Sequence, residues 1–359
     1  MIPLYKPYMP DDLPDLNTIL HSGALAYGKH GLEFEQKLKA YVGVEQLVTV
    51  SSFNSAVLVA LISLGIKPGD EIISSPMACL ASNQPIVTLG AKVAWADVDP
   101  MTGTIDPESV RKKISSETKA IFHNHFCGYP GYIDEINAIG EKYGVIVVDD
   151  AIEAFGSEYK GNKIGNNGTD ITIYSFQAVR LPTTIDGGAI VFKDKSFYEK
   201  SLLVRDSGIS RSYFRDNLGE INPNYDISVP GFGATMSEVN SYIGVQQMND
   251  LQTLVDIQRD NAQKWNEWFS ENMSECYLLN QRENIVPNFW VYGILIDNKK
   301  DILRKFREMG YHSSVVHLPN NYYSIFGKNE FLPGVDEFYS KFLAVPCGWW
   351  FHLNKSLHV

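Results

Sequence analysis

The chain has 359 residues, enough for one large domain and a smaller companion, with 44% hydrophobic residues and a formal net charge of -11. A surface this acidic repels phosphate backbones, which weighs against a nucleic-acid partner. No run is long and apolar enough to span a bilayer, and the four cysteines (Cys79, Cys127, Cys276 and Cys347) form no C-x-x-C pair, which argues against zinc knuckles and dithiol redox motifs.

The opening MIPLYKPYMPDDLPDL has neither the charged start nor the apolar core of a signal peptide, so the expected location is the cytoplasm. A first helix is expected from Asp11 to Ser22, with Leu13, Leu16, Ile19 and Leu20 apolar, and a second from Leu32 to Val42, with Phe34, Leu38 and Tyr41 on one face. The polar turn Ser51-Ser52-Phe53-Asn54-Ser55 then opens the apolar helix AVLVALISLG. Such a turn reads either as an anion site, where free N–H groups and the helix dipole face a ligand, or as a plain capped helix. Strand, helix and strand follow in KPGDEIISSPMACLASNQPIVTLGAKVAWADVDP, and Thr118 to Phe126 reads as a strand carrying His125 at its end.

The strand Val145 to Val148 delivers Asp149 and Asp150 at its carboxyl end, where open α/β sheets bind ligands. Glu153 follows three residues later. These acids read as one side of a cofactor site, as a hard-cation site, or as a buried acid network. No third cluster of oxygen ligands accompanies them, so a metal is not expected. Another strand, Ile171 to Phe176, leads through Ser175, Gln177 and Arg180 to the pair Gly187-Gly188. A strand (AIVF), a helix (KSFYEKSLLVRDSG) and a long polar, aromatic loop from Ile209 to Val229 come next, and loops of that length are usually functional. One long helix is expected from Ile243 to Asn272, then a strand around Asn288 to Ile296, a helix from Lys299 to Met309, and the segment HSSVVHLPNNYYSIFG with His317 and Tyr322. Trp349-Trp350-Phe351 reads as core or as a stacking surface for a sugar or base. The alternation of strands and helices predicts an α/β fold with a mostly parallel central sheet covered by helices, residues 1–245, plus a smaller C-terminal α/β domain, residues 246–359.

In order and spacing, GLEFEQKLKAYVG, KPGDEIISSP, GAKVAWADVDP, VDDA, SFQAVR with its following GG, and MSEVNSYIGVQQM resemble the DegT/StrS-type sugar aminotransferases, which have the pyridoxal-phosphate fold type I. The resemblance runs from the N-terminal helix to GWW near the end. It implies a nucleotide-linked sugar as substrate, a place in surface-polysaccharide or deoxysugar biosynthesis, and a homodimer. It further implies that Asp150 pairs with the pyridine nitrogen and that Ser52, Phe53 and Asn54 occupy the phosphate turn, with Phe53 at the usual glycine and Asn54 at the usual threonine. Ser175 and Gln177 open the cofactor-holding segment, Glu153 faces the cofactor's hydroxyl side, and Cys79 lies near an aromatic position that stacks on the ring. His317 and Tyr322 fall on the substrate-side loop. Gly233 and Thr235 stand where an asparagine and an arginine would be, that asparagine reaching across the dimer.

The family's Schiff-base lysine position is Arg180. A guanidinium stays charged, so it can neither form the imine nor act as a neutral base, although it can grip a carboxylate or phosphate. The expectation is therefore pyridoxal phosphate or pyridoxamine phosphate held without a covalent bond, or no cofactor. Three readings stand: an aminotransferase scaffold with one replaced residue, a divergent nucleotide-sugar-modifying enzyme, and a non-catalytic family member.

Overall fold

The structure, a computed structural model, describes all residues except 280–281, 328–329 and 354–359. Seven strands form the central sheet: β1 (Leu47–Val50), β2 (Glu71–Ser74), β3 (Lys92–Trp95), β4 (Thr118–Asn124), β5 (Ile146–Asp150), β6 (Ile171–Ser175) and β7 (Gly188–Phe192). Their order is β1-β7-β6-β5-β4-β2-β3. The β3-β2-β4-β5-β6 run is parallel, and β7 lies antiparallel between β6 and β1. Helices cover both faces, which is why the inner strands read as continuous apolar runs and not as alternations. Val148, Ile171, Ile173 and Ile190 pack with Val57, Ala60 and Leu61 of the helix Phe53–Leu64 on one side. On the other, Tyr174, Phe176 and Val191 meet Phe34 and Leu38 of the helix Lys29–Val42.

A three-stranded antiparallel sheet in the C-terminal part contains β8 (Tyr277–Leu278), β9 (Tyr292–Leu295) and β10 (Phe342–Val345), in the order β8-β9-β10. It shares an apolar cluster with Trp265, Trp268 and Phe269 of the helix Glu238–Asn272, and Phe351 belongs to the same core. Among the described residues no helix is long and apolar enough to cross a membrane.

Several elements are shorter or longer than expected. The first helix is confined to Leu16–Leu20 and has no side-chain cap. The strand expected to reach Phe126 stops at Asn124, because Cys127 adopts φ 54 inside a tight turn. The strand expected from Asn288 begins only at Tyr292, after Phe289 at φ 52. The long helix starts five residues early, at Glu238, where the Ser237 hydroxyl accepts the Asn240 N–H at 3.1 Å.

Candidate active site

The parallel strands deliver their carboxyl ends to one edge of the sheet, and the polar residues gather there. Asp150 ends β5 and Ser175 ends β6, both buried, while the turn after β1 begins the helix Phe53–Leu64. The Ser52 hydroxyl accepts the Ser55 N–H at 3.1 Å, capping that helix. The first N–H groups of a helix have no partner within it, so this end is chemically suited to a phosphate. Phe53 packs with Val48, Val50, Ala56 and Ala234 in the core, and Asn54 is exposed. Gly188 makes the close approach possible: a Cβ there would lie 2.8 Å from the Tyr174 carbonyl oxygen and 3.1 Å from that of Ser52.

Asp150 is buried, and its Oδ1 accepts the Ile152 N–H at 3.2 Å. Burial, with a contribution from the Glu153 charge, pushes its carboxyl up to about 6. Among the described residues no cationic side chain forms a salt bridge with it. Asp149, its neighbour, points into a separate buried network. His123 Nδ1 lies 2.8 Å from Asp149 Oδ1 and His125 Nε2 lies 3.5 Å from it. Burial alone would raise Asp149, but the two imidazoles hold it well below the usual carboxylate range. These three side chains could offer ligand atoms within 4.8 Å of one another. However, the Gly131 N–H donates to His125 Nδ1 at 3.0 Å, which leaves the ring proton on Nε2, facing Asp149. That tautomer suits a hydrogen-bond network and not a metal ligand.

Glu153 is also fully buried. Its Oε2 accepts the Cys127 N–H at 2.7 Å, and its Oε1 lies 2.8 Å from His317 Nε2 and 3.6 Å from Arg180 Nη2. Burial opposes its ionisation, yet His317, Arg180 and the Cys127 N–H together hold it below the usual range. Arg180, 5% exposed, stacks its guanidinium 4.2 Å from the centre of the Trp290 ring. Its Nε and Nη1 are buried without a hydrogen-bond partner among the described residues, which is costly for a charged group. Gln177 supports this loop through its backbone, accepting the Arg180 N–H at 2.9 Å and donating to the Ser175 hydroxyl at 3.4 Å. Burial pushes the half-buried Cys79 thiol up to about 11, so it stays protonated.

Arg180 lines a tight crevice of about 10 Å³ with Lys6, Tyr8, Trp290, Trp349 and Trp350, room for about one water. A larger surface hollow of about 490 Å³, at Asp99, Asp106, Arg111 and Tyr132, does not include these residues.

The fold thus brings Asp150, Glu153, Cys79, Arg180 and His317 into one neighbourhood. It does not bring Tyr322, whose hydroxyl donates to Asp336 at 2.9 Å. Three residues join that the sequence did not signal. Tyr5 stacks on Trp290 with ring centres 4.6 Å apart, and its hydroxyl is raised by burial and by Cys127 and Glu153 beside it. Trp290 also donates its Nε1–H to the Val179 carbonyl at 2.8 Å. Cys127 donates its backbone N–H to Glu153 Oε2 at 2.7 Å. None lies in a periodic pattern, and only the Phe289-Trp290 aromatic pair offered a local cue.

Residues 9–355 match the family model of the DegT/DnrJ/EryC1/StrS aminotransferase family. An uncharacterized protein of Methanocaldococcus jannaschii is 28% identical over 358 residues, covering 96% of this chain and 92% of its own length. Among solved structures, AtS13 from Actinomadura melliaura superposes with a TM-score of 0.91 at 30% identity, covering 98% of this chain and 95% of that one. The sugar aminotransferase CalS13 from Micromonospora echinospora does so with a TM-score of 0.90 at 28% identity, covering 98% and 96%.

Proposed function

Since the chain belongs to the DegT/DnrJ/EryC1/StrS aminotransferase family, we propose that it acts on a nucleotide-linked sugar, in surface-polysaccharide or deoxysugar biosynthesis, with a pyridoxal-type cofactor held without a covalent bond. Arg180 stands in this reading where the family has its lysine. The observation that carries it is that a buried Asp150 ends β5 while the buried side chain at position 180 is an arginine held by Glu153 and Trp290.

The residues present fit such a cofactor. Asp150, raised to about 6 by its burial, would gain a cationic partner in a protonated pyridine nitrogen. The turn at Ser52 to Ser55, with Ser175 nearby, suits a phosphate. Arg180, whose Nε and Nη1 have no partner among the described residues, would donate to an oxygen of the bound ligand. When bound, the cofactor supplies an electron sink, and pyridoxamine phosphate, which brings its own amine, asks nothing of a lysine. The remaining duties fall on this chain: Asp150 holds a proton at the ring nitrogen, and Tyr5 and Trp290 exclude water around Arg180.

Equilibrium dialysis against pyridoxamine phosphate tests the reading. The unmodified chain should retain one equivalent per site and lose it on exhaustive dialysis, and Asp150→Asn should weaken retention by about tenfold or more, the scale of one charge-assisted contact. Absence of retention by the unmodified chain would overturn the cofactor assignment.

A further inference from the structure

We propose that His317, oriented by Glu153, is the general acid–base group of this site and carries the proton that the side chain at position 180 cannot. This rests on the cofactor reading above. Proton transfer at a ligand carbon needs a side chain that is neutral in one step and charged in the next. Arg180 does not change charge. Of its neighbours, burial raises Cys127 well above its ordinary range and Cys79 to about 11, and it raises Tyr5 too. Glu153 is already engaged by three groups. Asp150 is committed to the ring nitrogen in the cofactor reading, which leaves the His317 imidazole, a group able to be neutral in one step and charged in the next.

The geometry assigns the two ring nitrogens. A carboxylate only accepts, so His317 Nε2, 2.8 Å from Glu153 Oε1, carries the hydrogen. Nδ1 then presents its lone pair. With a ligand bound, that nitrogen would accept the proton of a ligand C–H bond, the bonding electron pair would stay on the ligand, and Glu153, 2.8 Å from Nε2, would stabilise the imidazolium. The reverse transfer restores both. The His317 side chain keeps 14% of its surface exposed, while Glu153 keeps 3%, so the histidine faces the accessible side of the pair.

The backbone supplies an independent observation. Val316 adopts φ 62, and the His317 N–H closes on the Val315 carbonyl at 2.7 Å, a γ-turn. A β-branched residue at positive φ is a strained outlier, and such strain persists where surrounding contacts fix a side chain in place. Here the contacts are the Glu153 pair on one side and Asn320 on the other. Asn320 Nδ2 donates to the Ala78 carbonyl at 3.0 Å, and its Oδ1 accepts from Asn83 at 3.0 Å. The His317 loop is thereby tied to the segment around Cys79.

The test uses the full chain with pyridoxamine phosphate as probe and follows exchange of the probe's methylene hydrogen into deuterated water. His317→Gln and His317→Ala should retain the probe in dialysis yet exchange it about 100-fold more slowly or worse. Added imidazole should restore exchange in His317→Ala and not in His317→Gln, which leaves no space for it. Nitrogen-15 spectra of the ligand-free chain should show the Nε2-protonated tautomer at His317, and Glu153→Leu should abolish that preference. Unchanged exchange in both variants with the probe bound overturns the assignment alone, as does an Nδ1-protonated His317 or no exchange by the unmodified chain despite binding. Failure of the unmodified chain to bind the probe instead overturns the cofactor reading, and this assignment with it.

Discussion

Asp150 and Arg180 are individually unfavourable where they sit. Each buries a charge with incomplete pairing, and Trp290, Glu153 and the Ile152 N–H offset only part of that cost. For Asp150 the consequence can be read as a pH dependence. Its folded carboxyl is raised to about 6, so the ligand-free fold favours the neutral acid. That contribution is whole below the unfolded carboxylate value of about 4 and is lost as pH rises through about 6, a difference of about 3 kcal/mol. Asp150→Asn, neutral throughout, should therefore gain stability relative to the unmodified chain between pH 4 and 7, by up to that amount, in urea unfolding. Parallel pH profiles for the two proteins would contradict the origin assigned to the shift. The acids were legible in the sequence because a short apolar run ending in two acids marks a strand end in an α/β sheet. The partners of Arg180 were not: Tyr5 and Trp290 are brought to it from 175 and 110 positions away by the fold, and no spacing records that.

At the scale of elements, period and punctuation gave the strands and helices their order, and local side-chain chemistry decided their ends. Ser237, a good cap followed by Glu238, starts the long helix ahead of its apolar pattern. Positive φ at Cys127 and Phe289 ends or delays strands that propensity alone would extend, and neither residue type announces that conformation. The loop between the helix Lys195–Val204 and the long helix bears on assembly. It leaves Tyr213, Leu218, Ile221 and Ile227 exposed, more apolar surface than an isolated loop usually presents. A Cβ at Gly233 would meet no atom within 4 Å. We propose that this loop and the segment Pro230 to Glu238 form a surface between two copies of the chain. Light scattering should give twice the chain mass, and Leu218→Asp with Ile221→Asp should shift it toward monomer. A monomer mass for the unmodified chain at working concentrations would refute the dimer.

At the scale of the molecule, the site is assembled from three distant stretches. The large sheet supplies Asp150, Glu153 and Ser175, the C-terminal part supplies Trp290 and His317, and the N-terminal segment supplies Tyr5. The sheet's share was legible because Asp150 and Ser175 sit at strand ends and Glu153 follows three residues after one, and His317 was legible through family resemblance. It could not pair His317 with Glu153, since that contact depends on how the C-terminal part docks. In the proposed reading the site is built for a pyridoxal-type cofactor and lacks only the means to bond it covalently at position 180. Borohydride reduction after incubation with pyridoxal phosphate tests this most directly, on the unmodified chain and on Arg180→Lys, with the labelled residue located by peptide mass. The unmodified chain should form no adduct, and Arg180→Lys should show a new absorbance band and an adduct at position 180. An adduct on another lysine of the unmodified chain, or a folded Arg180→Lys protein that forms none, would contradict it.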